Sequence, residues 1–510
     1  MEYIQKHGAI LVIMVIYTVF CLGIGQWFKH RASRSVDDFY VAKRTIPGWA
    51  IALAFFSTFI STNTYIGQAG YSFRAGLSWV WVGFFWTFFC MISWLVMGPR
   101  MRSQTAKLKS LTIPDYFDFR YKSVYSRAIR IFSAVIILFA TVWYMVAIAK
   151  GCAHLLHSTL EIPYAWGAFL IVFITTLYSV MGGMYSVLWT DAVQGAIMFV
   201  VALIMIAIPF AFVGGVEPVM QSIAYTTHPS VKGTPIGDGL VVFCALVSFL
   251  YIASIGLSVG MKQISEPRCL IRFYSVDNAK SMKFAMIATP ILLGVSLICV
   301  FSVGAVVHGM TTPQEAAYLV KNTDEVIGFM LAKMNNPWIT GICMAGLFAA
   351  GMSSLASVIL IVGTAFIGDI WNLVRPLSQP QQVSYTKWLM WLYSALVVWI
   401  TIYPPAGIVE LTAFSGAVFA AGFFPAVYGG LYWRWGTGAG AFWSMVIGIV
   451  ATVGWRFLVR FNVPGMRDYH EIFAGFIVSI VAYVVISLLT QGDRPSEEHL
   501  DHVFHTNQAK

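Results

Sequence analysis

The stretch Ile51-Ala-Leu-Ala-Phe-Phe-Ser-Thr-Phe-Ile-Ser-Thr-Asn-Thr-Tyr-Ile-Gly-Gln-Ala-Gly70 starts as an apolar helix and then sets six hydroxyl or amide side chains between Ser57 and Thr64. Ser, Thr and Asn compete for backbone hydrogen bonds, and Asn63, Gly67 and Gly70 lower the helix propensity further, so the spacing predicts an unwound turn at mid-membrane depth. Irregular backbone is tolerated at that depth only where it is buried in protein or lines a water-filled cavity. A polar packing face of small residues has the same composition, and this stretch alone leaves both readings open.

The rest of the chain establishes that the depth is real. Of 510 residues, 58% are hydrophobic and 11% charged, with mean hydropathy +0.75; a soluble domain carries about 25% charge. Gly8 to Phe28, Ala192 to Val213 and Phe284 to Val307 are uncharged, mainly apolar runs of helix-spanning length. Barrel strands would be about half as long and would alternate. The reading is an all-α polytopic membrane protein of about 13 transmembrane helices, at approximately 8–28, 47–72, 77–98, 126–154, 163–182, 189–214, 239–261, 284–308, 337–367, 388–403, 408–431, 437–457 and 471–490. The first run has no small-x-small cleavage pattern and reads as a retained helix. The seven cysteines lack metal-ligand spacing and read as small core residues.

The net charge of +10 follows the topology rule rather than a nucleic-acid surface. With the amino terminus outside, about 23 of the 32 Lys and Arg residues lie inside, among them Lys262, Arg268 and Arg272 of a 262–283 loop. The expected localisation is the cell inner membrane, multi-pass, with the carboxyl terminus cytoplasmic. The outer connections 215–238 and 309–336 are the longest, and the second is expected to carry short surface helices. The tail from Gln491 holds His499, His502 and His505 and reads as solvated, its histidines placed by chance.

A second polar interruption stands five spans after the first, in Tyr251-Ile-Ala-Ser-Ile-Gly-Leu-Ser-Val-Gly260. Paired interruptions in corresponding halves point to the binding site of an inverted-repeat transporter. The expected core therefore has broken second and seventh spans. A third patch, Ala349-Ala-Gly-Met-Ser-Ser-Leu-Ala-Ser357, offers hydroxyls to a hard cation that wants several oxygens. Asp191, at the cytoplasmic start of the sixth span, reads equally as an ion-path acid or, with Thr190, as a helix cap. Snorkelling accounts for Lys150, His154 and His157, and capping accounts for Glu410. Depth alone makes Asn63, Thr64, Gln68, Trp143, Tyr144, Tyr251, Ser254 and Ser415 candidate substrate-cavity residues, a cavity read as holding no fixed charge.

Several ordered motifs resemble the sodium:solute symporter family. Tyr178-Ser-Val-Met-Gly-Gly-Met-Tyr-Ser186 followed by Trp189-Thr-Asp-Ala-Val-Gln194 is similar to its signature. Asp37-Asp-Phe-Tyr-Val-Ala-Lys-Arg44, Ile60 to Gly67, Glu266-Pro-Arg-Cys-Leu-Ile-Arg-Phe273, Ala349 to Ser357 and Gly430-Leu-Tyr-Trp-Arg-Trp435 support it. The resemblance implies a LeuT-type 5+5 inverted-repeat core. Residues 47–214 and 239–431 would be the repeats, 1–46 an extra helix and cytoplasmic loop, 432–490 two further helices and 491–510 a cytoplasmic tail. It also implies a sodium site from backbone oxygens of Ser57, Ile60 and Ala350 and the hydroxyls of Ser353 and Ser354. Asp191 and Ser357 would lie on the ion path. Where members with a second sodium site use further serines, this chain has Ala356 and only Ser357.

The function implied is sodium-coupled symport of a small organic solute into the cell by alternating access, with a carboxylate or zwitterion favoured. Sodium is the transported coupling ion, no organic cofactor is implied, and membrane lipid and the solute are the expected partners of a chain acting as a monomer. A sodium:sugar symporter or a proton-coupled carrier of the same fold are the alternatives. The span matching the sugar carriers' acid has none between Trp79 and Trp94, the sialic acid carriers' arginine falls at about Trp143, and the proline carriers' acid falls at Phe59. An enzyme would need a set such as HExxH or GxSxG, which the chain lacks. A tail of about 20 residues is shorter than the 50 or so a signalling domain needs.

Overall fold

The computed structural model describes residues 2–225, 239–461 and 471–504. Its principal helices are α1 (Glu2–Ala32), α2 (Gly48–Phe59), α3 (Ala69–Ala75), α4 (Val80–Ile92), α5 (Gly98–Leu108), α6 (Ile113–Tyr121), α7 (Ser126–Leu160), α8 (Tyr164–Val213) and α9 (Phe249–Gln263). There follow α10 (Pro267–Ser275), α11 (Ala279–Val307), α12 (Pro337–Phe366), α13 (Gln379–Ile402), α14 (Ile408–Tyr432), α15 (Gly438–Arg460), α16 (Glu471–Leu489) and α17 (Glu497–Phe504). Among the described residues the only pairing of extended backbone is one parallel bridge between Ile46 and Val276.

Nine helices among the described residues are long and apolar enough to cross a membrane, ten if α2 and α3 count as one bent span. The thirteen expected are not all matched by that measure. The fifth and sixth lie in one element, α8, whose 50 residues turn at Gly183 (φ 52°, ψ −145°). A side chain at that left-handed position would also strike the Phe39 ring at 2.7 Å. The seventh, α9, has only 15 residues, roughly 22 Å of rise and too short to span alone.

The break between α2 and α3 bends the chain by 57°, where the composition of Ser57 to Thr64 predicts it. The seventh span is also discontinuous, but not over Ser254 to Gly260, which are helical within α9. The chain breaks instead at Ile264–Glu266, before α10. At Ser254 the physical reason is visible: its Oγ donates to the Leu250 carbonyl one turn back at 2.7 Å, so that hydroxyl is satisfied without unwinding the helix. Gly256 and Gly260 lie against Phe85 and Phe89, where a Cβ would come within 2.7 and 2.1 Å of the rings, so they permit close packing on α4.

At the centre stands α12, fully buried across its apolar stretch and packed on α7, α8 and α2. Outermost faces are apolar: Trp388, Leu392 and Trp399 of α13 all point outward and are exposed. The 309–336 connection carries helices Pro313–Lys321 and Val326–Lys333, the first opened by a Thr312–Glu315 capping box. All seven cysteines are free thiols.

The tail is not a free, solvated segment. Leu500 and Val503 of α17 are buried, Arg434 pairs with Glu497 (3.0 Å) and Asp501 (2.7 Å), and His499 Nε2 meets the Phe119 carbonyl at 2.8 Å. Burial lowers the His499 pKa. The alternation of acidic and apolar residues in this stretch gives it a face to dock, which a count of histidines does not detect. His505 and positions 226–238 of the outer connection lie outside the described residues.

Candidate functional site

The break in the second span releases carbonyl groups. Ile60 is extended (φ −85°, ψ 138°), and the Ser61 amide donates to Thr64 Oγ1 at 3.3 Å instead of turning back to Ser57. The Thr64 and Tyr65 amides both go to the Ser61 carbonyl, at 2.9 and 3.2 Å. Ser57 and Ile60 carbonyls thus lose their helical donors. Helix α12 answers with two hydroxyls: Ser353 Oγ donates to Ser57 O (3.0 Å) and Ala350 O (3.3 Å), and Ser354 Oγ donates to Ile60 O (3.2 Å). All five residues named for a sodium site therefore share one buried cluster. Three carbonyls and two hydroxyls whose hydrogens can rotate away offer an all-oxygen shell to a hard cation.

Beside this cluster lie charges that the sequence reading assigned to a cytoplasmic loop. Lys262, Arg268 and Arg272 are buried. Arg268 Nη1 donates to the Thr58 carbonyl (2.6 Å) and to Ser354 Oγ (3.3 Å), which also accepts from the Tyr144 hydroxyl (3.4 Å). Arg268 Nε is 2.7 Å and Lys262 Nζ 3.7 Å from one Glu266 oxygen, and both cations lie over the Tyr144 ring, at 4.2 and 3.7 Å from its centre. The triad carries one net positive charge, which corrects the expectation of a cavity without fixed charge. The positive-inside rule counts basic residues without asking which find partners. The legible signal was a lone acid set among bases, Glu266 four residues after Lys262 and two before Arg268.

Asp191 is likewise drawn in. Its Oδ2 accepts from Arg272 Nη2 (2.5 Å), Thr58 Oγ1 (3.2 Å) and Ser357 Oγ (3.3 Å). The capping role does not stand, because α8 runs unbroken through Asp191 and Thr190 Oγ1 bonds back to Ser186 O at 2.7 Å.

The substrate candidates separate. Asn63, Thr64 and Gln68 share the π-helical turn Asn63–Gln68, and Gln68 Oε1 accepts from Trp79 Nε1 at 3.0 Å. Trp79 and Tyr71 in turn face Tyr251, at 6.2 and 6.4 Å between ring centres. Asn63 Oδ1 and Ser415 Oγ are buried without a hydrogen-bond partner among the described residues, whereas the Ser254 hydroxyl is held inside α9. Tyr144 turns toward the sodium cluster. Trp143, roughly 100° further round the same helix, packs on Phe139 and Phe414 and lines a different groove of about 720 Å³ with Glu410 and Arg456. Glu410 sits in the first turn of α14, after the cap position Gly407. Lys150 does not snorkel freely; it bonds the Ala406 carbonyl (3.4 Å) and faces Asp324 (3.8 Å).

The model of the sodium:solute symporter family matches residues 39–448. The chain belongs to the sodium:solute symporter family. Its curated relatives include an osmoregulated proline transporter of Bacillus subtilis, 27% identical over 96% of both chains. A sodium/proline symporter of Escherichia coli is 28% identical over 94% of this chain and 92% of its own. A sodium/pantothenate symporter of Haemophilus influenzae is 24% identical over 96% of this chain and 98% of its own. Among solved structures, a sodium-coupled sialic acid symporter in a substrate-bound outward-open state superposes with TM-score 0.76 at 17% identity, covering 95% of this chain and 97% of that one. The symporter thus has the LeuT-type fold and is a secondary transporter, not an enzyme, that couples a small solute to sodium.

Proposed function

We propose that this symporter carries a small carboxylate or zwitterion inward with sodium across the cell inner membrane, amino terminus outside, as a monomer. The observation that carries the reading is the junction of the α2 carbonyls with Ser353 and Ser354. A sodium ion ligated there by Ser57, Ile60, Ala350, Ser353 and Ser354 ties the broken helix to α12. Asn63, Thr64 and Gln68 follow directly after the break, so ordering the break orders the first polar groups a solute meets. With Tyr144 and Ser415 they are the solute-binding set; Tyr251, with Trp79 and Tyr71, forms an aromatic outer approach, Ser254 contributes backbone shape, and Trp143 faces the neighbouring groove. Residues 47–214 and 239–431 act as the two repeats that rock against each other. Arg268 and Arg272, on α10, hold the inner side closed, and sodium leaves past Ser357 and Asp191 when α10 withdraws.

Support for the solute class is chemical. Proline and pantothenate, the solutes named for the relatives, both bear a carboxylate, and the net positive Lys262–Glu266–Arg268 triad favours an anionic group nearby. Phe59 and Trp143 set this chain's specificity apart from a simple copy of the proline or sialic acid carriers. The test is uptake into proteoliposomes of proline, pantothenate, short monocarboxylates and a hexose, under sodium, choline or a proton gradient. Sodium-driven uptake of a carboxylate is expected. Uptake driven equally by protons in choline, or a preference for the hexose, refutes the proposal.

A further inference from the structure

The carboxyl-terminal segment lies across a junction between two parts of the molecule. It is fastened first to the turn between α14 and α15: Gln491 Nε2 donates to the Trp435 carbonyl (3.0 Å), Asp493 Oδ2 accepts from the Ala439 amide (2.8 Å) and Arg494 Nε donates to the Arg434 carbonyl (3.2 Å). Helix α17 then packs on α5, with Leu500 and Val503 buried, and its Phe504 ring lies 4.8 Å from the guanidinium of buried Arg120. Ion pairs join α17 back to the turn. Arg434 Nη2 meets Glu497 at 3.0 Å and Asp501 at 2.7 Å, and Arg494 Nη2 meets Glu497 at 2.6 Å.

On one side of this junction α5 is bound to the carboxyl end of α10. Arg102 donates from Nε to the Val276 carbonyl (3.2 Å) and from Nη2 to the Asp277 carbonyl (2.7 Å). Arg44 adds a second tie, donating to the Tyr274 carbonyl (3.1 Å) and to the Thr105 and Ser110 carbonyls (3.1 and 3.0 Å). On the other side α5 meets the end of α14 at the Leu431 carbonyl, which accepts from Arg100 Nη1 (3.0 Å) and Gln104 Nε2 (3.4 Å). Withdrawal of α10 from the sodium cluster would carry α5 with it and break the Leu431 contacts. Helix α17 bridges the same gap, pairing with Arg434 three residues past Leu431 and packing on α5. Contacts made in one state and lost in the other bias the equilibrium toward the first.

The grip has two components that respond differently to salt. Leu500 and Val503 are buried, whereas Glu497 and Asp501 are exposed, and exposed ion pairs weaken as ionic strength rises. We propose that α17 is a salt-sensitive clasp that holds α5 to the α14–α15 turn, slows the withdrawal of α10, and loosens as the ionic strength of the cytoplasm rises. This rests on the reading of a cytoplasmic carboxyl terminus and of inward opening by withdrawal of α10, and it adds a control on the rate of that step.

Cys269, a buried free thiol on α10, is the reporter. The full-length protein in inside-out membrane vesicles is treated with a membrane-impermeant maleimide in choline chloride, and alkylation of Cys269 is followed by peptide mass spectrometry. Raising the salt from about 0.1 to about 1 M shortens the screening length from about 10 to about 3 Å, and the wild-type labelling rate is expected to rise about threefold or more. Arg434→Glu and Leu500→Asp are expected to label fast at low salt and to lose the salt response, and Glu497→Lys/Asp501→Lys is expected to restore slow labelling to Arg434→Glu. Glu498→Gln, which removes an exposed charge from the same helix, is expected to behave as wild type. A wild-type rate that ignores salt overturns the clasp whether or not the variants fold. So does a monodisperse Leu500→Asp protein that labels like wild type, or a Glu498→Gln protein that labels like Arg434→Glu. Cys269 that stays unlabelled from this side in every variant sinks the reading of α10 withdrawal, and the clasp with it.

Discussion

Replacing Ser353 or Ser354 with alanine probes the centre of the mechanism, and its size follows from the contacts. With sodium bound, each substitution removes one of five ligand oxygens, a loss of about 1.5 to 3 kcal/mol for a polar group facing a charge. Without sodium, the same substitution removes a neutral hydrogen bond, Ser353 to Ser57 O at 3.0 Å or Ser354 to Ile60 O at 3.2 Å, a loss of about 0.5 to 1.5 kcal/mol. Only the difference, about 1 to 2 kcal/mol, weakens sodium binding, so the sodium concentration for half-maximal uptake is expected to rise roughly fivefold to thirtyfold. The two serines are neighbours sharing partners, so the double substitution is expected to depart from additivity. Thr364→Ala is the control: its hydroxyl donates to the Ile361 carbonyl, on the same helix and away from the break. The assay is sodium-dependent uptake in proteoliposomes at matched protein density. A half-maximal concentration within twofold of wild type for the double variant, or an equal shift for Thr364→Ala, refutes the assignment.

Three further outcomes are expected. Arg268→Gln removes a positive charge whose guanidinium lies 3.3 Å from Ser354 Oγ, a proposed sodium ligand; since a pair of like charges at 4 Å costs roughly 4 kcal/mol at an effective dielectric constant of about 20 and Glu266 offsets much of it, sodium affinity should tighten about tenfold in a sodium titration, and weaker binding would contradict the placement. Asp191→Asn strands Arg272 as an uncompensated buried cation and should cost about 3 to 5 kcal/mol in thermal unfolding of the solubilised protein, much of it recovered in Asp191→Asn/Arg272→Gln; equal stability of both variants would mean the pair is not formed. Sodium and solute should tighten each other's binding by the same factor in calorimetry, because linkage is reciprocal, and a solute affinity equal in sodium and choline would disconnect the break from the solute groups.

The sequence alone determined the solvent, the secondary structure class and the break after Ser57, because each is a local matter; the five residues proposed as sodium ligands came from the family resemblance, and only the packed helices bring them together. Hydropathy, hydroxyl crowding and motif matches depend on residues near one another in the chain. The second break was placed some residues early for a related reason: Gly256, Ser258 and Gly260 have the composition of an unwound turn, and only the presence of Phe85 and Phe89 across the interface makes the glycines packing residues. The tertiary structure decided where the charges went. Asp191 and Arg272 are 81 residues apart and Arg268 and Ser354 are 86 apart, so no local pattern pairs them. Whether a basic residue beyond a span is solvated or drawn inward depends on an acid or a freed carbonyl waiting on another helix, and that acid or carbonyl is positioned only when the helices pack.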